Sequence, residues 1–243
     1  MKRVVIALIA AIAAIICFVA IANAYKYKFR AQENISVTGS AEIDFESDLV
    51  VWSASYSRKS MNLQEAYAAL KQDEGAIRRY LAGKGIAAAE IIFSSININK
   101  EYSYTYDAEG NQRQSTFSGY NLTQNVTVTS KDIPKVETIS REVTELIQSG
   151  IELNSQPPSY YYSKLSDLKL DLLAKASADA KKRAETIAEN AGKNMGKLKK
   201  ATMGVFQIVG KNSNEDYSYG GAFNISSKSK TATITVKADY AVK

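Results

Sequence analysis

The longest continuous helical pattern outside the N-terminus reads LSDLKLDLLAKASADAKKRAETIAENA and occupies residues 165–191. Its apolar and small residues recur at steps of three and four, which places them on one stripe of an α-helix. The stripe consists of Leu165, Leu168, Leu172, Ala176, Ala180, Ala184, Ile187 and Ala191. Alanine replaces leucine in its second half, so we expect a neighbouring element to approach the helix backbone closely there.

The opposite face of this predicted helix is charged, which is typical of a solvated surface. Its charged residues are Asp179, Lys181, Lys182, Arg183, Glu185 and Glu189. Gly192 follows at a position where a left-handed residue ends a helix. At ~1.5 Å per residue the helix is roughly 40 Å long, so only an extended sheet or a partner chain can cover it.

Outward from this helix, the chain alternates between strand and helix patterns. Residues 35–45 and 50–56 alternate with a period of two around a turn at 46–48, and a capping-box-like Asn62 and Glu65 begin a helix. A long hairpin comes next, with Ile92, Ile96, Ile98, Tyr102, Tyr104 and Tyr106 on one strand face and a return strand at 120–128.

After the hairpin, Asp132 and Pro134 begin a second helix that reaches Gly150. Residues 151–162 hold Pro157-Pro158 and predict at best an edge strand. The long helix comes next, followed by a strand at 201–209, a loop at 212–223 and a terminal strand at 232–242.

The order is therefore ββαββ followed by α, short β, α and ββ. It predicts an α+β protein with antiparallel sheets and with helices packed on one face. We assign residues 34–243 to this domain, which two α/β halves, 34–130 and 131–243, could make up.

The first residues predict export from the cytoplasm. Lys2 and Arg3 precede an uncharged run at 4–22, and Ala22-Asn23-Ala24 resembles a signal-peptidase site. The run is also just long enough to span a bilayer, so residues 1–24 are either a signal peptide or a membrane anchor. Residues 25–33 are a linker, and everything after them is predicted to be periplasmic, either soluble or anchored by residues 4–22.

Composition excludes several classes of function. The chain has no histidine, which removes histidine triads, bases and metal ligands, and its one cysteine, Cys17, lies in the apolar N-terminal run. Lys and Arg outnumber Asp and Glu by 31 to 25, which becomes 29 to 25 without Lys2 and Arg3. This excess is small and scattered, so no nucleic-acid partner is predicted.

We predict no catalytic residue, cofactor or metal site. The acids Glu42, Asp44, Glu46 and Asp48 could hold calcium, but the first two point outward on an alternating strand, where acids are ordinary. Residues 107–111 resemble the start of an EF-hand calcium loop but lack the glutamate that follows later in such a loop. A hairpin turn explains them better.

Tyr102, Tyr104 and Tyr106 are the candidate functional residues. Same-face tyrosines suit a subunit interface, packing within the chain, or stacking on a carbohydrate. We expect Ile96 and Ile98 to supply the strand's share of the core, so that the hairpin from Tyr102 to Tyr120 projects past the domain. An uncovered aromatic face favours aggregation, so self-association into a homo-oligomer is the interpretation carried forward.

Three stretches together resemble the SIMPL-domain family: residues 35–42 (ISVTGSAE) with 48–50 (DLV), residues 178–193, and residues 234–238 (ITVKA). The resemblance implies an envelope protein of α+β fold without an established catalytic site, with relatives that defend against oxidative stress or form ring-like oligomers. The chain departs from the family in its tyrosine-rich hairpin at 101–120 and its loop at 212–223.

These observations lead to two main hypotheses. The first is a non-enzymatic envelope protein that self-associates and contributes to oxidative or envelope stress defence. The alternative is a module that binds a glycan or cell-wall polymer through exposed tyrosines. A hydrolase is the weakest interpretation, because no pattern positions a pair of carboxylates as acid and base.

Overall fold

The computed structural model describes residues 2–29, 34–215 and 218–242, and it has the predicted α+β fold with antiparallel sheets. Its elements in chain order are α1 (Lys2–Phe29), β1 (Asn34–Glu46), β2 (Leu49–Ser60), α2 (Leu63–Gly83), β3 (Ile91–Phe93), β4 (Asn97–Tyr106), β5 (Gln112–Ser130), α3 (Ile133–Glu142), β6 (Leu153–Ser155), β7 (Ser159–Tyr161), α4 (Leu165–Asn190), β8 (Met195–Met203), β9 (Gln207–Gly210) and β10 (Ser229–Val242). Short 3₁₀ helices lie at Ala88–Glu90 and Val143–Ser149.

Some predicted features fall on residues outside this description. Residues 30–33 of the predicted linker and residues 216–217 of the predicted loop are among them. Within the residues that are described, no helix combines the length and the hydropathy needed to cross a lipid bilayer.

The described strands form two sheets. The first has the order β3-β5-β2-β6, with β4 also paired to β5 and β7 also paired to β2. The second has the order β1-β10-β8, with β9 also paired to β10. The two pieces β6 and β7 lie on either side of Pro157-Pro158 and pair with the outer edge of β2, as the edge-strand prediction requires.

The turn between β1 and β2 is confirmed, but the two strands belong to different sheets. The Ser47 N–H donates to the Lys228 carbonyl at 3.0 Å, and the Asp48 N–H donates to the Tyr161 carbonyl at 3.0 Å. The turn is therefore bonded to two other segments of the chain, and it redirects the chain from one sheet to the other instead of closing a hairpin.

The chain divides into two compact units, each assembled from separate stretches. One consists of Met1–Ser40, Lys175–Gly204 and Thr235–Lys243, and the other of Ala41–Ala174 and Val205–Ile234. The boundary predicted between residues 130 and 131 stays a prediction.

The larger unit has a hydrophobic core between its six-stranded sheet and the helices α2 and α3. The predicted inward face of β2 is confirmed, because Val50, Trp52, Ala54 and Tyr56 are all buried. Buried residues of the neighbouring strand β5 continue this face of the sheet, and buried residues of α2 and α3 complete the core; among them are Leu122, Val126, Leu70, Ile77, Val136 and Ile139. The Trp52 indole N–H donates to Ser155 Oγ at 2.9 Å, so its polar atom is satisfied within this core.

In the smaller unit, the alanine half of α4 packs closely on β1, as predicted. Ala176, Ala180, Ala184 and Ala188 are fully buried. A Cβ atom built on Gly39 would lie 2.3 Å from the Ala176 carbonyl oxygen and 2.3 Å from the Ala180 nitrogen. The buried stripe keeps a step of four, so Ala188 continues it, whereas the predicted Ile187 is half exposed and Ala191 is exposed.

Two local predictions need correction. The Asn62 side chain caps α2 by accepting from the Gln64 N–H at 2.8 Å, but Glu65 accepts from Ser60 Oγ instead of returning to Asn62. The single strand predicted at 201–209 is two strands, β8 and β9. Gly204 separates them, because its N–H donates to the Thr235 carbonyl at 2.8 Å where the β8 ladder ends.

Candidate self-association surface

The hairpin of β4 and β5 extends beyond the end of β2. Residues 50–60 of β2 pair with residues 130–120 of β5, whereas residues 112–117 of β5 pair, within the described chain, with β4 alone. We call residues 102–119 the arm. At its tip, the Asp107 carboxylate accepts from the N–H groups of Asn111 at 2.8 Å and Glu109 at 3.1 Å. The acids of this segment therefore form a hairpin turn, as predicted.

The arm has one aromatic face and one polar face. Tyr102 is paired with Phe117 across the two strands, while Tyr104 is paired with Ser115 and Tyr106 with Gln112. The residues between them form the polar face: Ser103, Thr105, Gln114 and Thr116. Side chains alternate across a strand, so the tyrosine face continues the side of the sheet on which Leu122 is buried.

Aromatic rings run from the domain into the arm. The rings of Tyr120 and Phe117 lie 5.0 Å apart at 68°, and those of Phe117 and Tyr102 lie 5.8 Å apart at 73°. Both are edge-to-face arrangements, which aromatic side chains favour. Tyr120 also packs against the core of the larger unit, so the row connects the arm's aromatic face to that core.

The three tyrosines lie outside the hydrophobic core. Tyr102 is 45% exposed, Tyr104 48% and Tyr106 62%. The expectation for the adjacent isoleucines is only partly correct: Ile96 packs against the core, but Ile98 is half exposed because β4 is an edge strand. Ile92 is also exposed, since Ile91 is the residue of β3 that faces the core.

The root of the arm is fixed by specific contacts. The β4–β5 register shifts between Glu101↔Gly119 and Tyr102↔Phe117, which forms a bulge. Gly119 has a φ of +134°, and a Cβ there would lie 3.0 Å from the Ser60 carbonyl oxygen. Glu101 is paired with Lys59 and accepts from Asn121 Nδ2 at 2.9 Å. The arm is thus a strand pair on a fixed base, and within the described residues both of its outer edges, that of β4 and that of residues 112–117 of β5, are unpaired.

The acids weighed as a cation site have other partners. Asp44 accepts from Thr231 Oγ1 at 2.7 Å and pairs with Lys211 at 2.9 Å, and both contacts lower the pKa of its carboxyl. Asp48 accepts from the Ser163 N–H at 2.7 Å. The part of the chain that the structure describes contains no group of three or more metal-ligating side chains.

Lys230 is a buried cation that the sequence did not single out. Its Nζ donates to the carbonyl oxygens of Asn224, at 2.7 Å, and Ser227, at 2.5 Å. Burial lowers the pKa of Lys230 to about 8, and the Glu215 carboxylate opposes part of this shift. Its place within the alternating pattern of β10 gives no sign of this role.

We expect the stability of the protein to rise between about pH 8 and 9.5. In this range Lys230 is protonated in the unfolded chain, where its pKa is near 10.5, but loses its proton in the folded one. Unfolding therefore takes up a proton, and the gain is about 1–2 kcal/mol. Above pH 10 the trend reverses, because burial raises the pKa of Tyr160 to about 12.

Urea unfolding at several pH values measures this trend. Lys230→Met should flatten the rise, whereas Lys228→Met, at a neighbouring position that is only partly buried, should keep it. If the stability of Lys230→Met rises with pH by the same amount, the proton taken up on unfolding belongs to another group.

Phe117 completes the aromatic face of the arm and was missed in the sequence. Its position opposite Tyr102 depends on the bulge at Gly119, which shifts the register by one residue. If side chains simply alternated from the buried Leu122, without the bulge, residue 117 would lie on the polar face.

Comparisons with known proteins support the sequence resemblance. A family model described as SIMPL, protein of unknown function (DUF541), matches residues 35–240. The 26 kDa periplasmic immunogenic protein of Brucella melitensis biotype 1 is 26% identical over 179 residues, which cover 69% of this chain and 68% of that protein. The protein of the same name from Brucella abortus strain S19 matches with the same identity and coverage.

Proposed function

We propose, since this chain belongs to the SIMPL family, that it is an exported periplasmic protein of the cell envelope that works by self-association and not by catalysis. The export signal predicted in residues 1–24 supports the location, as does the name of the Brucella relatives. Sequencing the N-terminus of the purified protein distinguishes the two forms of export. Tyr25 is the first residue if the signal is cut, and Met1 remains if residues 4–22 anchor the protein.

The aromatic face of the arm carries the proposal of self-association. Tyr102, Tyr104, Tyr106 and Phe117 form a contiguous face, and beside it lies the outer edge of β4, which no other described strand pairs with. Tyrosine is enriched in protein interfaces, where it combines apolar area with a polar tip. A second copy of the chain brings the same face and the same free edge, so two arms can pair about a two-fold axis.

We further propose that the assembled protein contributes to defence against oxidative or envelope stress. This role rests on the family resemblance. It is tested by survival of a deletion strain in peroxide, complemented with the normal chain or with a variant that cannot assemble. Equal rescue by both would separate the stress role from assembly.

A second candidate function is binding of a glycan or cell-wall polymer. The half-exposed row of three tyrosines favours it, because aromatic rings stack on sugar rings. Such a module binds as a monomer, and its tyrosines contact the polymer instead of a second copy.

The experiment that tests the proposal replaces Tyr102, Tyr104 and Tyr106 together with serine. We expect sedimentation velocity to show an oligomer for the normal chain and a monomer for the variant. The thermal midpoint of the monomer should shift by no more than about 2 °C, because these side chains lie outside the core.

The matched control is Tyr219→Ser, which removes a fully exposed tyrosine that is not part of residues 102–119 and should leave the oligomer unchanged. Unfolding of the triple variant would assign the tyrosines to the core. A monomeric normal chain that is retained on peptidoglycan, and a triple variant that is not, would replace self-association with polymer binding.

A further inference from the structure

A groove of about 580 Å³ runs along β1 in the smaller unit, beside the C-terminal half of α4. Val37 and Ile187 contribute apolar surface to it, and Thr38, Lys182 and Arg183 contribute polar groups. The aromatic arm takes no part in this groove, so a binding role for the groove does not depend on self-association through the arm.

The wall of the groove is the open edge of a sheet. Within the described residues β10 is the only strand beside β1, so the other edge of β1 is unpaired. The Ser40 N–H points toward α4, because it donates to Asp179 Oδ2 at 2.9 Å. The N–H and C=O of one strand residue point to the same edge and alternate along the chain. The backbone groups of Ser36 and Thr38 therefore also point into the groove.

The alternation of β1 supports this orientation. Exposure along the strand has a strict period of two from Asn34 to Glu46, without the break that a bulge would introduce. Asp179 occupies the edge at Ser40, so two residues, Ser36 and Thr38, present open backbone donors and acceptors. This is the arrangement that an extended peptide uses when it adds a strand to a sheet.

The charges of the groove favour a carboxylate. The Asp179 carboxylate is already held by the Ser40 N–H and by Arg183 Nε at 2.8 Å. Lys182 is exposed on the same side of α4, and the residues that line the groove carry two positive charges and one negative charge. An extended peptide with a carboxylate beside Lys182 matches both the backbone groups and the charge.

We propose that this groove binds an extended, carboxylate-bearing peptide segment by strand addition to β1. The backbone of the peptide bonds to Ser36 and Thr38. One side-chain face of the peptide packs on Val37 and Ile187, and the carboxylate pairs with Lys182. Main-chain bonds supply most of the affinity, so the site accepts extended segments of varied sequence.

The test is fluorescence anisotropy of the full chain with the hexapeptide Val-Thr-Val-Thr-Val-Thr, labelled with fluorescein at its N-terminus. One form has a free C-terminal carboxylate and the other a C-terminal amide. We expect the carboxylate form to bind more tightly, and Lys182→Gln to remove that difference.

Thr38→Pro tests strand addition directly. Proline removes only the outward N–H of residue 38 and leaves the bonds of Val37 and Gly39 to β10 in place, as is tolerated on an edge strand. We expect it to weaken binding about tenfold. Its matched control, Thr38→Ala, keeps the N–H and should bind like the normal chain.

The outcomes decide the proposal in either direction. Binding that is unchanged in Thr38→Pro, or no binding of either peptide by the normal chain, overturns it. If Thr38→Pro does not fold, Ile187→Glu replaces it, because residue 187 is half exposed and a glutamate there repels the peptide carboxylate. Undiminished binding by Ile187→Glu also overturns the proposal.

Discussion

Replacing Gly39 with alanine is expected to destabilise the protein by about 3 kcal/mol or more. The added Cβ would lie 2.3 Å from the Ala176 carbonyl oxygen, 2.3 Å from the Ala180 nitrogen and 2.7 Å from the Ala180 Cα. All three are backbone atoms, so no side chain can move aside, and β1 must separate from α4. That separation would expose the buried alanines of α4 and remove their apolar contacts with β1 as well.

Gly75→Ala is the matched control for this prediction. Gly75 lies inside α2, and nothing lies within 4 Å of a Cβ built there. The same chemical change should stabilise the helix by about 0.5–1 kcal/mol. Urea unfolding of both variants measures the contrast. A loss of less than 1 kcal/mol in Gly39→Ala would mean that β1 and α4 are not packed backbone against backbone.

Replacing Asp73 with alanine is expected to cost about 2–4 kcal/mol. Arg58 donates to both carboxylate oxygens of Asp73, at 2.5 and 2.8 Å, and its Nη2 also donates to the Gly150 carbonyl at 2.7 Å. Asp73 is buried, so its removal leaves the guanidinium without its counter-ion. The same arginine then holds the end of the 3₁₀ helix at residues 143–149 less firmly.

Lys71→Ala is the control, because the Lys71 side chain is 44% exposed and Arg78 also pairs with its partner Glu74 on the same helix. Surface pairs of this kind contribute little, so we expect a loss below about 0.5 kcal/mol. The free energy of unfolding in urea distinguishes the two variants. Equal losses would show that the burial of Asp73 adds nothing to its pairing with Arg58.

Local patterns predicted the elements of this fold well because burial imposes a period on the sequence. The step of four through Leu168, Leu172 and Ala176 can only be one side of a helix, and it predicted close packing that Gly39 then completes. The alternation of β1, β2 and β10 identified their inward faces for the same reason.

The pairing of the strands could not be predicted from these local patterns. Alternation states which side of β2 is buried but not which strand lies beside it. The bonds from Ser47 to Lys228 and from Asp48 to Tyr161 span more than a hundred residues. Such contacts depend on how the whole chain closes, and they placed β1 and β2 in different sheets.

The candidate self-association surface could likewise be predicted only in part. The common face of Tyr102, Tyr104 and Tyr106 was apparent from their spacing. The contribution of Phe117 was not, because it depends on the bulge at Gly119. The groove beside β1 was also missed, because the charged side of α4 predicts a surface that faces solvent. Only the bond between Asp179 and Ser40 shows that this side adjoins a sheet edge.

Photochemical cross-linking of tyrosines tests the central claim of self-association most directly, because a tyrosine–tyrosine bond between two chains forms only where their rings meet. Trypsin releases residues 101–113, which contain all three tyrosines of the arm, as one peptide. We predict covalent dimers in which this peptide is linked to its own copy. Dimers linked instead through the fully exposed Tyr219, or no dimers at concentrations where the chain sediments as an oligomer, would contradict an interface made by the arm.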